Sequence, residues 1–146
     1  MAWLGTYGYR MELTISNANI DSDLTDFPVL IHLTSSESDV FDEIGSDANR
    51  KKIAVTASDG QTQCYVEIED WDNAGEEAWL HVKVPSVTAA AGTTLYLYYD
   101  SSQSDNTTYV GDTGDAAAQS VWDSDFVAVW HMAQDPNGDA ADAILD

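Results

Sequence analysis

Apolar and polar residues alternate with a period of two along most of the chain, and this pattern predicts β-strands. In the segment EAWLHVKVP, Leu80, Val82 and Val84 share one face. Trp79 and His81 lie on the opposite face. Short turns rich in Gly, Asp, Asn and Ser separate the segments that carry this pattern, which are YRMELTIS, FPVLIHLT, KIAVTAS, TQCYVEIEDW, EAWLHVKVP, TTLYLYYD and FVAVWHM. We therefore expect an all-β protein, an antiparallel β-sandwich of the jelly-roll or immunoglobulin-like type with about seven or eight strands.

Two short helices and one tight turn interrupt the strands. The segment SSESDVFDEIG offers Ser36 or Ser38 as the residue before a helix and Gly45 as its end. The segment GDAAAQSVW predicts a second helix that begins after Asp115. The pair Asp59–Gly60 predicts a hairpin turn.

The charge of the chain restricts its partners. The chain contains 26 acidic and five basic residues, which gives a formal net charge of −21 at pH 7. Binding to nucleic acid needs clusters of Lys and Arg, so we expect no nucleic-acid partner. No stretch of about 18 apolar residues is present, so we expect no membrane insertion.

Signatures of catalysis are weak. His32, His81 and His131 are scattered, without the close spacing typical of zinc sites or a motif typical of a catalytic base. Glu67 and Glu69 share one strand face, where carboxylates are usually solvated. The single Cys64 alternates with apolar neighbours and is expected to be a small buried residue. We therefore expect that the protein is not an enzyme.

Calcium is the candidate cofactor. The segment DSDLTD places Asp21, Asp23 and Asp26 in one loop, and Ca²⁺ prefers several carboxylate or carbonyl oxygens from such a loop. The C-terminal segment DPNGDAAD offers a weaker candidate of the same kind. The alternative is that these Asp residues serve turns without a metal.

Aromatic residues provide the candidate ligand-binding surface. Trp79 and His81 alternate with Leu80, and Tyr96 and Tyr98 alternate with apolar neighbours in the same way. If the faces that carry Trp79, His81, Tyr96 and Tyr98 met on one sheet, they would form an aromatic platform suited to carbohydrate. The alternative is that these rings belong to the core, because alternation does not decide which face is buried.

The order of the segments resembles a family of domains of unknown function. The segments that carry the resemblance are YRMELTIS, LTDFPVLIHL, SDGQTQCYVEIEDWD, EAWLHVKVPSVTAAAGTTLYLYYD and VWDSDFVAVWHM. The family occurs in bacterial and archaeal surface proteins and in phage tail proteins, usually before a concanavalin-like or laminin-G-like lectin domain. It typically has Gly where this chain has Asp100. The resemblance implies an extracellular, cell-surface or virion location, with a lectin-like domain or neighbouring subunits as partners.

These observations together give one expected organisation and three functional hypotheses. Residues 1–125 are expected to form the sandwich, and residues 126–146 to begin, or lead into, a following lectin-like domain. The preferred hypothesis is a non-catalytic module that binds a glycan or a cell-surface polysaccharide and serves adhesion. The alternatives are a structural spacer of a fibre or virion and an accessory domain of a polysaccharide-active enzyme.

Overall fold

Residues 2–131 are described by a computed structural model, and in this part of the chain eight strands form two four-stranded sheets. The strands are β1 (Tyr9–Ile15), β2 (Leu24–Leu33), β3 (Ile53–Ala57), β4 (Gln63–Cys64), β5 (Val66–Asp72), β6 (Glu77–Val87), β7 (Thr93–Tyr99) and β8 (Val110–Asp112). Sheet I has the order β1-β7-β3-β4, and sheet II has the order β2-β6-β5-β8. All pairs are antiparallel except β5 with β8, which is parallel. The predicted all-β sandwich is confirmed.

The core lies between the two sheets and is built from the alternating apolar faces of the strands. Leu80 and Val82 of β6 and Leu95 and Leu97 of β7 are fully buried in it. Cys64 also lies in this core, as expected, and burial raises the pKa of its thiol to about 12. The alternation predicted which residues share a face on these strands, and the structure shows that the aliphatic face of each is the inner one.

Helix α1 (Ser38–Ile44) closes one part of the core with Val40, Phe41 and Ile44. It ends at Gly45, as predicted, in the left-handed conformation with φ +74°. Its start differs from the prediction, because a 3₁₀ turn (Ser35–Glu37) precedes it and Thr34 caps that turn. The Thr34 hydroxyl and the Glu37 carboxylate form a capping box, so neither Ser36 nor Ser38 is the cap.

Helix α2 (Ala116–Gln119) begins after Asp115, as predicted. The Asp115 carboxylate makes no capping hydrogen bond to the helix. Instead it accepts hydrogen bonds from Lys51 Nζ at 2.7 Å and from the Asp112 backbone N–H at 3.0 Å. A second 3₁₀ turn spans Asp47–Asn49. No helix within residues 2–131 is both long and apolar enough to cross a membrane.

Two strand predictions need correction. The segment TQCYVEIEDW is not one strand, because the chain passes from sheet I to sheet II at Tyr65, between β4 and β5. The segment FVAVWHM forms no strand over residues 126–131, and Val127 is fully exposed there. Val127, Val129 and His131 therefore pair with none of the eight strands in the described part of the chain. Residues 132–146, including the second candidate calcium loop, lie outside the described residues.

Candidate functional site

All three histidines of the chain lie on the face of sheet II that points away from the core, which we call the outer face of sheet II. His32 of β2 is paired with Trp79 of β6, and His81 follows two residues later on the same face. His131 comes from the chain after α2 and reaches the same face through its side chain, which contacts Glu67 and Glu69 of β5. Residues far apart in the sequence are thereby assembled on one surface.

A β-bulge at Glu69 shapes this surface. Ile68 pairs with Leu80 and Asp70 pairs with Trp79, so β5 contains one more residue than β6 at this point. A bulge of this kind shifts the alternation of the strand by one position. Asp70 therefore lies opposite Trp79 on the outer face next to Glu69, and the following Trp71 turns inward and is buried.

Trp79 is held in place by its neighbours. The His32 ring stacks on it, with a centroid distance of 3.7 Å and an interplanar angle of 12°. His32 Nε2 is in turn 2.9 Å from Glu77 Oε1, which orients the imidazole. The indole is partly exposed, so one part of it is supported by the imidazole and another part remains accessible.

Glu67 is a buried carboxylate beneath this surface, with 2% of the residue exposed. Trp122 Nε1–H donates to Glu67 Oε2 at 2.6 Å, and His131 Nε2 lies 3.1 Å from Glu67 Oε1. A buried carboxylate is costly unless donors satisfy it, and each oxygen has one here. Glu67 thereby links β5 to the chain that follows α2.

Glu69 lies between two imidazoles. His81 Nε2 is 2.7 Å from Glu69 Oε2, and His131 Nδ1 is 3.5 Å from the same oxygen. One donor atom from each of the three residues lies within 4.8 Å of the others. Among residues 2–131, this is the one set of three His, Cys, Asp or Glu side chains that meets that condition.

A groove of about 450 Å³ opens beside these residues and is lined by Glu69, Asp70, Trp79 and His131. It combines part of the Trp79 indole with two carboxylates, Glu69 and Asp70, that can accept hydrogen bonds. Ligand sites typically combine an apolar or aromatic wall with a few convergent polar groups. The groove is therefore the candidate site of this protein.

The predicted aromatic platform is not formed as a whole. Trp79 and His81 lie on the outer face of sheet II, whereas Tyr96 and Tyr98 lie on β7 in sheet I. Tyr96 and Tyr98 are only 4% and 0% exposed, respectively, because the N-terminal segment covers them. The covering contacts come from Trp3, Leu4 and Tyr7 and from the Arg10 guanidinium, which lies over the Trp3 and Tyr96 rings. These two tyrosines are packing residues, so the expectation of one joint platform is corrected.

The predicted calcium residues are exposed in the loop before β2 and at its start. The Asp23 carboxylate accepts a hydrogen bond from the Ala89 backbone N–H at 2.8 Å. Asp26 has a positive φ of 51°. Within the described part of the chain, Asp21, Asp23 and Asp26 are not brought together as a set of close ligand atoms. A calcium ion at these residues stays a prediction.

Sequence reasoning placed Glu67 and Glu69 on one strand face but did not connect them with a histidine. One available signal was that His32 and His81 lie out of phase with the apolar residues of their strands, which places them on the outer face. The contribution of His131 had no such signal, because it depends on the path of the chain after α2 rather than on a strand.

Comparison with known proteins gives a family but no characterised relative. No curated protein and no solved structure matches the chain. A family model described as a domain of unknown function, DUF2341, matches residues 49–132. The match covers more than half of the chain and includes Glu67, Glu69, Trp79, His81 and His131. The resemblance noted from the sequence is confirmed, and the protein belongs to the DUF2341 family.

Proposed function

We propose that the protein is a non-catalytic β-sandwich module that binds carbohydrate in the groove beside Trp79. The observation that carries this proposal is the position of a partly exposed, supported indole next to the carboxylates of Glu69 and Asp70. A sugar ring offers an apolar C–H face that packs on an aromatic ring, and its hydroxyls donate hydrogen bonds to carboxylates. Because His32 already orients Trp79, binding would cost little side-chain entropy.

The ligand class is a neutral glycan or polysaccharide. The groove contains two carboxylates, and the chain has a formal net charge of −21 at pH 7. This field repels sulfated, phosphorylated or uronic-acid-rich chains. Neutral hexose or pentose units avoid this repulsion and still supply hydroxyl donors.

A binding role fits the arrangement of the carboxylates better than hydrolysis. Glycoside hydrolysis needs two carboxyl groups on either side of the scissile bond. Glu69 and Asp70 are successive residues of one bulged strand, and both line the groove. They are suited to hold hydroxyls rather than to flank a glycosidic bond.

The wider setting is part of the proposal and follows from the family resemblance. The module would serve adhesion within a larger extracellular, cell-surface or virion protein, such as a tail fibre. It would precede a lectin-like domain or contact neighbouring subunits. In that setting its neutral-glycan groove would add a second contact to the same polysaccharide, and two linked contacts raise the overall affinity.

A glycan array and affinity electrophoresis in neutral polysaccharides test the proposal on this chain of 146 residues. We expect retention of the wild type and a loss of affinity of about tenfold or more for Trp79→Ala, which corresponds to about 1.4 kcal/mol. Trp3→Ala is the matched control, because Trp3 is a partly exposed indole that packs against Tyr98 of sheet I. Its affinity should remain that of the wild type.

Two results would reject the proposal. One is an absence of binding by the wild type to every neutral glycan, and the other is equal binding by wild type and Trp79→Ala. If the first result came with stable oligomers in light scattering, the protein would instead be a structural spacer that pairs through its edge strands.

A further inference from the structure

We propose that Glu69, His81 and His131 form a binding site for a divalent first-row transition metal ion of the zinc type, with Glu67 as the outer-sphere partner of His131. This site was not expected from the spacing of the histidines. It shares Glu69 and His131 with the lining of the proposed carbohydrate groove, but it can be measured without a glycan, so the two proposals are tested separately.

The distances between the donor atoms suit such an ion. Zinc binds nitrogen and oxygen ligands at about 2.0–2.1 Å, so neighbouring ligand atoms of a tetrahedral site are about 3.3 Å apart. The separations from Glu69 Oε2 are 2.7 Å to His81 Nε2 and 3.5 Å to His131 Nδ1, which bracket that value. Small rotations of the side chains would place all three donors around one ion.

The hydrogen bonds of His131 prepare its Nδ1 atom as a ligand. Its Nε2 atom lies 3.1 Å from Glu67 Oε1, and a carboxylate oxygen can only accept there. The proton of a neutral His131 is therefore on Nε2, and Nδ1 presents a lone pair toward Glu69. A histidine that binds a metal through one nitrogen and donates to a carboxylate through the other is the common arrangement in metalloproteins.

Glu67 is itself fixed, which makes this outer contact rigid. It is buried, and Trp122 Nε1–H donates to its second oxygen at 2.6 Å. The Trp122 ring also lies beside both imidazoles, with centroid distances of 5.1 Å to His81 and 6.1 Å to His131. The ligands are thus held by packed neighbours, and little ordering is required when an ion binds.

The set of donors selects the class of metal. Two imidazole nitrogens and one carboxylate oxygen suit Zn²⁺ and its first-row neighbours, whereas Ca²⁺ requires six to eight oxygen ligands. The negative field of the protein raises the local concentration of any divalent cation, so the donor set rather than the charge must provide selectivity. Because Glu69 and His131 also line the groove, a remaining coordination position would face it.

Titration of the tag-free, chelator-treated chain with Zn²⁺ tests the proposal by calorimetry, and Co²⁺ absorption reports the coordination. We expect one ion per chain for the wild type, and no measurable site for Glu69→Gln or His131→Ala. His32→Ala is the matched control on the same face and should bind as the wild type does. Glu67→Gln should bind about 10- to 100-fold more weakly, because it loses the outer-sphere carboxylate.

Each contrary outcome overturns a stated part of the proposal. An absence of binding by the wild type, equal binding by Glu69→Gln, or equal competition by Ca²⁺ would reject the metal site. Glu69, His81 and His131 would then be a cluster of side chains that contact one another without an ion. Wild-type affinity in Glu67→Gln would reject the role of Glu67. Circular dichroism checks that each variant is folded, and Glu69→Gln decides the outcome if His131→Ala is not. Loss of glycan binding in Trp79→Ala would leave all these results unchanged.

Discussion

Asp100 gives the sharpest test of how the fold is held together, because its carboxylate joins two separate segments. It accepts hydrogen bonds from the Gly8 backbone N–H at 2.8 Å, the Ser102 hydroxyl at 2.6 Å and the Gln103 amide at 3.1 Å. The hydrogen bond from the Ser102 hydroxyl is the main cause that lowers the pKa of Asp100 from 3.8 to about 2. Asp100 therefore ties the segment before β1 to the loop after β7.

The lowered pKa of Asp100 determines how much this carboxylate stabilises the fold and how that stabilisation changes with pH. A carboxyl group whose pKa is lower in the folded than in the unfolded state stabilises the fold above its unfolded pKa, and this stability is lost as the pH falls through the folded value. The fall of the pKa from 3.8 to about 2 corresponds to about 2 kcal/mol at neutral pH, and solvent screening near the surface reduces this to about 1–2 kcal/mol. Most of this contribution should disappear between about pH 4 and pH 2.

Urea unfolding of the wild type and Asp100→Asn, followed by tryptophan fluorescence at several pH values, measures this contribution. We expect Asp100→Asn to lower the free energy of unfolding by about 1–2 kcal/mol at pH 7, with a difference that shrinks toward zero near pH 2. The exposed Asp21→Asn controls for the loss of one negative charge. A difference for Asp100→Asn that stays constant from pH 7 to pH 2 would show that the carboxylate charge does not provide the stabilisation.

Three further substitutions test individual contacts by the same unfolding measurement. Tyr98→Phe should lower the free energy of unfolding by about 1–2 kcal/mol, because the buried Tyr98 hydroxyl donates to the Gly60 carbonyl at 3.0 Å. An unchanged stability would contradict a stabilising role of this hydrogen bond. Gly60→Ala should lower the free energy of unfolding more than Gly114→Ala does. Both glycines have a positive φ (76° and 94°), but of the two only Gly60 would bring a new Cβ against a backbone carbonyl. Equal losses of stability in the two variants would refute this clash. Arg50→Lys should lower the free energy of unfolding by about 0.5–1 kcal/mol at low salt, because the two 2.7 Å hydrogen bonds from Arg50 to Asp112 become one. If the same loss of stability persisted at high salt, an electrostatic cause would be excluded.

The strands that the sequence predicted correctly are those with one buried and one outer face. In β6 and β7, alternation follows directly from that geometry, so the pattern identified both strands and the residues that share each face. The parallel strand β8 was missed because it has only three residues, which is too short for a period to be seen. The passage of the chain between sheets at Tyr65 was missed because apolar residues on both sides of it continue the same run.

Alternation predicted only part of the candidate site, because it shows which residues share a strand face but not whether that face is covered by another segment. Alternation placed Trp79 and His81 opposite the aliphatic residues, and they are indeed on an outer face. It placed Tyr96 and Tyr98 in the same way, yet those rings are covered by a segment that precedes β1 and has no period of its own. Whether an outer face is exposed depends on such irregular segments, which carry no signal in the local pattern. His131 belongs to another segment of this kind.

The bulge at Glu69 shows how one irregular residue can serve the core and the site together. Strict alternation along VEIEDWD would place Asp70 in the core and Trp71 in solvent, and burying an unpaired carboxylate is costly. The extra residue reverses both placements, so that Trp71 packs against Phe41 at a centroid distance of 5.3 Å. It also brings Glu69 and Asp70 to the same side, beside Trp79. The packing of Trp71 therefore stabilises the bulge, and both proposed binding activities depend on the geometry of that bulge. In the sequence, the bulge is indicated by a charged residue, Asp70, at the position that strict alternation assigns to the core and by an apolar residue, Trp71, directly after it.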